Sequence, residues 1–311
     1  MTLLSPSFLA TLDQLVLVTR RARVGTFKGE RKSPRRGGSV EFADYREYAP
    51  GDDFRQIDWN AYARMEKLFL RLFVEEEDAT VHVLLDASES MKWSDKWQYA
   101  QKLAAALGYI ALLGMDRLSA AAIPPSPKRR GGANARADEA SSKRASAGEG
   151  GEVMRPLRGK AYALQFFEWL TSLEPGGSAS PQNALARYAA NVRRAGPLLL
   201  VSDLMDDGWQ SAIQKLSERN YEITLLHILA PDELEPALEG DLKLLDSETN
   251  SAIEITADYD LLERYRARVR AWQHDWSKFS SARGINYLPI TTSQSFQELV
   301  LNYLRRQQVL K

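Results

Sequence analysis

Two apolar runs in this chain each stop at an aspartate. Val81-His82-Val83-Leu84-Leu85 leads into Asp86, and Pro197-Leu198-Leu199-Leu200-Val201-Ser202 leads into Asp203. Short apolar runs without polar alternation suit strands buried on both faces, as in a parallel sheet covered by helices. Helical spacing lies between and beyond them: Tyr99, Leu103, Leu107, Ile110 and Ala111, then Tyr162, Phe166, Phe167 and Trp169, then the stripe Leu262, Tyr265, Val269, Trp272, Trp276 and Phe279. Strands alternating with helices predict an α/β fold with a doubly wound, mainly parallel sheet.

The 311 residues are 44% hydrophobic, enough for one large core or a core with a smaller module. Lys+Arg and Asp+Glu both total 41, so net charge gives no reason to expect nucleic-acid binding. Cysteine is absent, which excludes disulfides, thiolate catalysis and Cys-based zinc sites. His82, His227 and His274 lie far apart in sequence, against a histidine-rich metal site. No basic-then-apolar leader opens the chain, and no run approaches the ~18 apolar residues of a membrane helix. The expectation is a soluble cytoplasmic protein without a membrane span.

Two segments are expected to organise the rest. Residues 1–77 read as an accessory segment of one helix and a few strands, opened by a Ser5-Pro6 helix start. Within it, residues 20–36 are strongly basic, which suits either an acidic or phosphate partner or a solvated loop. Residues 78–311 read as the main α/β domain. Its segment 124–152 has no aromatic or large aliphatic residue and reads as a disordered insertion inside that domain. Ser295, with Glu298 three residues on, suits a capping box for a final helix.

The candidate chemistry sits where the two runs end. Asp86, Ser88 and Ser90 alternate, so their side chains can turn towards one point, and Asp203 ends the second strand. Two carboxylates and several hydroxyls are what a hard divalent cation needs; Mg²⁺ fits, with Mn²⁺ or Ca²⁺ as alternatives. The Gly176-Gly177-Ser178 loop is a source for a third hydroxyl, with Ser180 as the alternative. The bland reading is that Asp86 caps the helix after it. No lysine or histidine stands beside Asp86 or Asp203 in sequence, and Lys92 is the nearest cation.

A second cluster lies upstream. Arg46, Arg55 and Arg64 alternate with Asp52, Asp53 and Asp58, and Trp59 follows directly. These residues suit a salt-bridged corner. The lesser alternative is a partner surface in which Arg46, Asp52, Arg55, Asp58, Trp59 and Arg64 take part.

Asp86-x-Ser88-x-Ser90 with the later Asp203 resembles the metal-ion-dependent adhesion site of von Willebrand factor A domains. That motif expects a threonine where this chain has Ser178. The run Arg46-Glu47-Tyr48-Ala49-Pro50-Gly51-Asp52-Asp53-Phe54-Arg55-Gln56-Ile57-Asp58-Trp59, with Ala63-Arg64 after it, resembles the signature of the domain-of-unknown-function 58 family. The resemblance implies a von Willebrand factor A-like (Rossmann-like) core. It also implies an accessory role beside MoxR-type AAA+ ATPases in protein maturation or remodelling.

The resulting expectation is a non-enzymatic, divalent-cation-dependent protein-binding module. Ser88 and Ser90 are expected as direct ligands and Ser178 as a conditional one, with Asp86 and Asp203 fixing metal-bound water. The partner, a MoxR-type ATPase or its client, is expected to present an acidic side chain to the ion. A metal-dependent phosphoesterase using Asp86 and Asp203 is the alternative. A nucleotide-binding Rossmann protein is disfavoured, because neither Gly-x-Gly-x-x-Gly nor a Gly-Lys-Ser/Thr loop is present.

Overall fold

The computed structural model describes residues 3–18, 40–50, 52–75, 80–124, 153–176, 180–192, 194–245 and 252–311. The chain divides into two compact units, residues 19–78 and residues 1–18 together with 79–311.

The larger unit is built on a six-stranded sheet. Its strands are β3 (Thr80–Asp86), β4 (Arg117–Ile123), β5 (Leu157–Arg158), β6 (Pro197–Ser202), β7 (Glu222–Leu229) and β10 (Asn286–Thr291), ordered β10-β7-β6-β3-β4-β5. All neighbours are parallel except β5, which closes one edge antiparallel to β4. In chain order these six strands follow the 3-2-1-4-5-6 plan of doubly wound sheets, so the topological switch point falls between β3 and β6. The sequence predicts this mixed α/β architecture, but not the two-residue antiparallel edge. Leu157 and Arg158 are too few to carry a periodic signal.

Strand residues alternate between two cores. Val81, Val83 and Leu85 of β3 join one core with α1 (Pro6–Leu12), α3 (Lys96–Leu113) and α4 (Ala163–Ser172). Leu84 faces the other, with α5 (Pro181–Asn191), α6 (Gly208–Ser217) and Trp276 of α8 (Tyr259–Ser281). Helix α3 is buried on nearly every side, and Gly108 is what lets α4 approach it. A Cβ on Gly108 would stand 2.2 Å from Phe166 Cε1.

Helix α1 corrects the expected boundary at residue 77. Ser5 caps it by accepting the Phe8 N–H at 3.2 Å, as its sequence suggests, and Phe8 and Leu12 are buried in the sheet unit's core. Leu17 then pairs with Leu310. Apolar residues on this helix therefore place residues 1–18 with the sheet, and only residues 19–78 form the smaller unit.

The insertion leaves and returns on one strand. β4 ends at Ile123, and beyond the segment the Met154 N–H donates to Ala120 O at 2.9 Å. Residues 125–152, which hold nearly all of the expected disordered insertion, lie outside the described residues. So does the basic stretch 20–36.

In the smaller unit, β1 (Val40–Glu47) pairs antiparallel with β2 (Phe69–Glu75), and α2 (Trp59–Met65) lies between them in sequence. In the larger unit, β8 (Gly240–Leu245) and β9 (Ala252–Ala257) form a separate antiparallel pair. The short helix α7 (Pro231–Leu234) follows β7 directly. The expected Ser295 cap is not formed: Ser295 makes no side-chain capping bond, and residues 296–306 wind partly as π-helix.

Candidate functional site

β3 is buried along its whole length and delivers Asp86, itself fully buried, to the switch point. Asp86 Oδ1 accepts the Ser88 N–H at 2.9 Å, which turns the chain immediately after the strand. The turn brings Ser88 Oγ to 3.0 Å from Ser90 Oγ. Met91 is buried and anchors the far side of this loop in the core. Across the crevice, Leu85 is level with Val201, so Asp86 stands beside Ser202 at the end of β6. The Ser202 hydroxyl donates to Asp86 Oδ2. Asp86 therefore meets the end of β6, and the loop after it brings Ser88 and Ser90 together.

Asp203 is buried one residue further on, and its surroundings differ from the sequence expectation. Its Oδ1 accepts the Met205 N–H at 3.2 Å, and its Oδ2 lies 2.7 Å from the Nζ of Lys96. Lys96 is fully buried at the start of α3, and its Nζ also lies 2.6 Å from Glu233 Oε1 on α7. Glu233 Oε2 accepts the Ala230 N–H at 2.8 Å, which fixes that carboxylate. His227 of β7, also buried, places Nε2 3.0 Å from the Asp203 carbonyl oxygen. A lysine and a histidine thus stand at Asp203, although neither is near it in sequence.

Electrostatics here are dominated by burial. Asp86 is pushed well above the usual carboxylate range by burial and then by the nearby Asp203 charge, against the pull of its serine hydrogen bonds. Burial works against the Lys96 ammonium, but Asp203 and Glu233 outweigh it and hold Lys96 above its ordinary value. Burial raises Glu233, opposed by Lys96. Burial lowers His227 to about 4, so it is neutral at neutral pH.

Gly176, at the start of the Gly-Gly-Ser segment, reaches the loop after β3. The Gly176 N–H donates to Ala87 O at 2.8 Å, and Gly176 has φ of +130°. A Cβ there would stand 3.0 Å from Glu89 Oε2 and 3.1 Å from Lys92 Nζ, so glycine permits the close approach. Ser178, the expected third hydroxyl, lies outside the described residues. Ser180 turns its hydroxyl to Gln182 of its own helix. Among the described residues, no three His, Asp or Glu side chains gather as a metal-ligand group. A cation at the switch point would have to be held by serine hydroxyls and water as well as by carboxylates.

In the smaller unit the arginine–aspartate cluster is largely spent on local structure. Arg46 Nη2 lies 2.8 Å from Asp52 Oδ1, and Asp52 Oδ2 accepts the Ala49 N–H at 2.9 Å. The Ala49 hydrogen bond and then Arg46 hold Asp52 below its usual range. Asp58 is buried, caps α2 through the Asn60 and Ala61 N–H groups, and accepts the Tyr45 hydroxyl at 2.8 Å. Arg55 stacks over Phe54, and Arg55 and Arg64 face solvent. Trp59 of the expected partner surface is 61% exposed, and Phe54 is 64% exposed.

Sequence reasoning missed Lys96, Glu233 and Ser202. Glu233 had a signal, because it follows a third apolar strand, Ile223 to Leu229, as Asp86 and Asp203 follow theirs. Lys96 had none: a lysine in a first helical turn ordinarily lies in solvent.

Comparison with known proteins gives relatives without assigned roles. The chain is 23% identical over 304 residues to the uncharacterized protein Rv1480 of Mycobacterium tuberculosis, covering 96% of this chain and 89% of that protein. The uncharacterized protein Mb1516 of Mycobacterium bovis matches with the same figures. Among solved structures, the conserved hypothetical protein BatB of Bacteroides thetaiotaomicron aligns with 14% identity and a TM-score of 0.39, over 74% of this chain and 98% of that one. An aerotolerance-related membrane protein of Bacteroides fragilis aligns with 13% identity and a TM-score of 0.37, over 73% and 99%. In this chain, no helix among the described residues is long and apolar enough to cross a membrane. The model of the protein family of unknown function DUF58 matches residues 44–275, and the chain belongs to that family.

Proposed function

We propose that this protein is a von Willebrand factor A-like, divalent-cation-dependent protein-binding module, and that it binds rather than catalyses. The observation that carries the reading is the run of contacts Ser90–Ser88–Asp86–Ser202 at the switch point of the sheet, with Asp203 next to Ser202 and near Asp86. This donor set suits Mg²⁺, which takes oxygen ligands, keeps several waters and is usually bound by one or two carboxylates. Ser88 and Ser90 would hold the ion, Asp86 and Asp203 would hold its waters, and Ser178 would supply a further hydroxyl. When bound, the ion would offer an open position to a carboxylate of another protein.

The rim of the site supports a protein partner. Trp93 and Met205, three and two residues beyond Ser90 and Asp203, are 58% and 44% exposed. Large apolar side chains beside a polar centre are the usual anchors of protein interfaces. The resemblance to a MoxR-associated family points to an AAA+ ATPase of that type, or its client, as the partner, and to a cytoplasmic role in protein maturation or remodelling.

The test is retention of partner proteins on the immobilised chain, with Mg²⁺ or with chelator, read by mass spectrometry. Recovery of an AAA+ ATPase that chelator abolishes, and that Asp86→Ala abolishes as well, is the expected result. Unchanged Mg²⁺ affinity and unchanged retention in Asp86→Ala would overturn the reading. Turnover of phosphoesters by the wild type, lost in Asp86→Ala, would replace it with a hydrolase.

A further inference from the structure

Lys96 stands at the switch point, and the cation reading does not require it. Its side chain is fully buried, and its ammonium lies between Asp203 Oδ2 at 2.7 Å and Glu233 Oε1 at 2.6 Å. Burying an ammonium is costly unless it is paired. Here it is paired twice, once with a carboxylate of the candidate cation site and once with a carboxylate fixed by its own backbone contact to Ala230. Asp203 and Glu233 supply two carboxylates to this ammonium, and Asp86 lies near enough to Asp203 for their charges to repel.

We propose that Lys96 is a tethered cation that competes with the divalent ion for Asp203 and sets the affinity of the site. The inference rests on the cation reading above and deepens it by naming what regulates the site. An ammonium and a divalent ion served by one carboxylate repel each other, and inside a protein that repulsion is only weakly screened. Glu233 gives Lys96 a second resting place. When an ion engages Asp203, the ammonium can shift its weight to Glu233 without losing all pairing. The site is then neither purely metal-dependent nor purely salt-bridged: it holds together through Lys96 at low Mg²⁺ and through the ion at high Mg²⁺.

Two variants separate this role from simple structural support. Titration of the full chain with Mg²⁺ alone, by calorimetry, is expected to show Lys96→Met binding at least about tenfold tighter than wild type. Glu233→Gln, which leaves Lys96 with Asp203 as its one charged partner among the described residues, is expected to bind several-fold more weakly. Structural damage alone would weaken both. Thermal melts of Lys96→Met should also gain more from Mg²⁺ than those of the wild type. If Lys96→Met does not fold, Lys96→Met/Glu233→Gln carries the comparison and must bind tighter than Glu233→Gln. Wild-type binding with equal or weaker binding by Lys96→Met, or by the double variant against Glu233→Gln, overturns the inference and leaves the cation reading standing. Binding by neither wild type nor the lysine variants overturns both. Binding by the lysine variants alone supports both.

Discussion

Two ion pairs of the same chemistry stand in opposite surroundings in this protein. In the sheet unit, Lys96 and Asp203 are 0% and 1% exposed at the side chain; in the smaller unit, Arg46 and Asp52 are 45% and 24% exposed. Both contacts are short, 2.7 Å and 2.8 Å, so distance does not distinguish them. The medium does. In a low-dielectric interior a lost partner leaves an uncompensated charge, whereas at the surface water and salt take its place. The same chemistry therefore makes a buried pair that is costly to break in one unit and a solvated local brace in the other.

The largest effect expected from this contrast is at Lys96. Lys96→Met in the presence of chelator should lose about 3–5 kcal/mol of stability, the usual cost of breaking a buried pair by removing one partner. Urea denaturation of the sheet unit checks this. A loss below about 1 kcal/mol would mean that water reaches Asp203 and Glu233 and that the contrast between the two pairs is false.

Next in size is the acid response of His82. It is buried with its Nδ1 2.7 Å from the Tyr188 hydroxyl, which also meets Ser119 Oγ at 3.0 Å, and Tyr221 packs against its ring. Burial lowers His82 to about 4 from an ordinary 6.5. A group lowered on folding contributes its full share above the unfolded value and loses it as the unfolded chain takes up protons. Stability should therefore fall by about 3 kcal/mol from this residue as pH drops from 6.5 to about 4. His82→Phe should flatten that slope in urea melts taken across the window, with His227 supplying the remaining histidine response. An unchanged slope would show that His82 takes up its proton in the fold as readily as in the unfolded chain.

These two residues also mark how far the sequence is legible. The continuous apolar runs led to the mixed α/β architecture because strands buried on both sheet faces demand them. The loop Asp86-Ser88-Ser90 was legible because a strand end and a period-two spacing bring its side chains together. Lys96 and Glu233 were not, because they are joined only by tertiary folding: Lys96 opens α3, while Glu233 follows β7 well over a hundred residues later. The docking of α1 was misread for a related reason. An amphipathic helix states that it has a buried face but not which unit covers it. Ser295 shows the limit of a local motif. Its capping pattern is present in sequence, yet the segment winds into π-helix under residues that pack into the core, Leu299, Val300 and Leu304.

Asp58 sits between the two extremes. It is buried in the smaller unit and turns one oxygen to the α2 N–H groups and the other to Tyr45. Asp58→Ala should cost about 1 kcal/mol for the cap alone, with further loss from the stranded Tyr45 hydroxyl. Hydrogen exchange of residues 59–65 reads it directly, and unchanged protection there would remove the cap from the account. The result sharpens the comparison, because it isolates burial of a carboxylate from burial of a cation.

The smallest effect belongs to Arg46, and it tests the comparison from its other side. Asp52 is held below its usual range first by the Ala49 N–H and only then by Arg46. Removing the guanidinium therefore leaves the stronger of the two supports in place. A group lowered in the fold contributes above its unfolded value and loses that contribution as pH falls through the folded one, so whatever Arg46 adds is present at neutral pH and fades in acid. Arg46→Met should shift the thermal midpoint far less than Lys96→Met, and the shift should nearly vanish at about 1 M salt, where screening reaches only a few ångströms. The Lys96→Met effect should persist in the same salt, since ions do not enter a buried pair. If salt erased both effects alike, exposure would not be what separates the two pairs. If salt spared the Arg46 effect, the corner would act as a rigid element of the smaller unit, braced by more than the contact between Arg46 and Asp52.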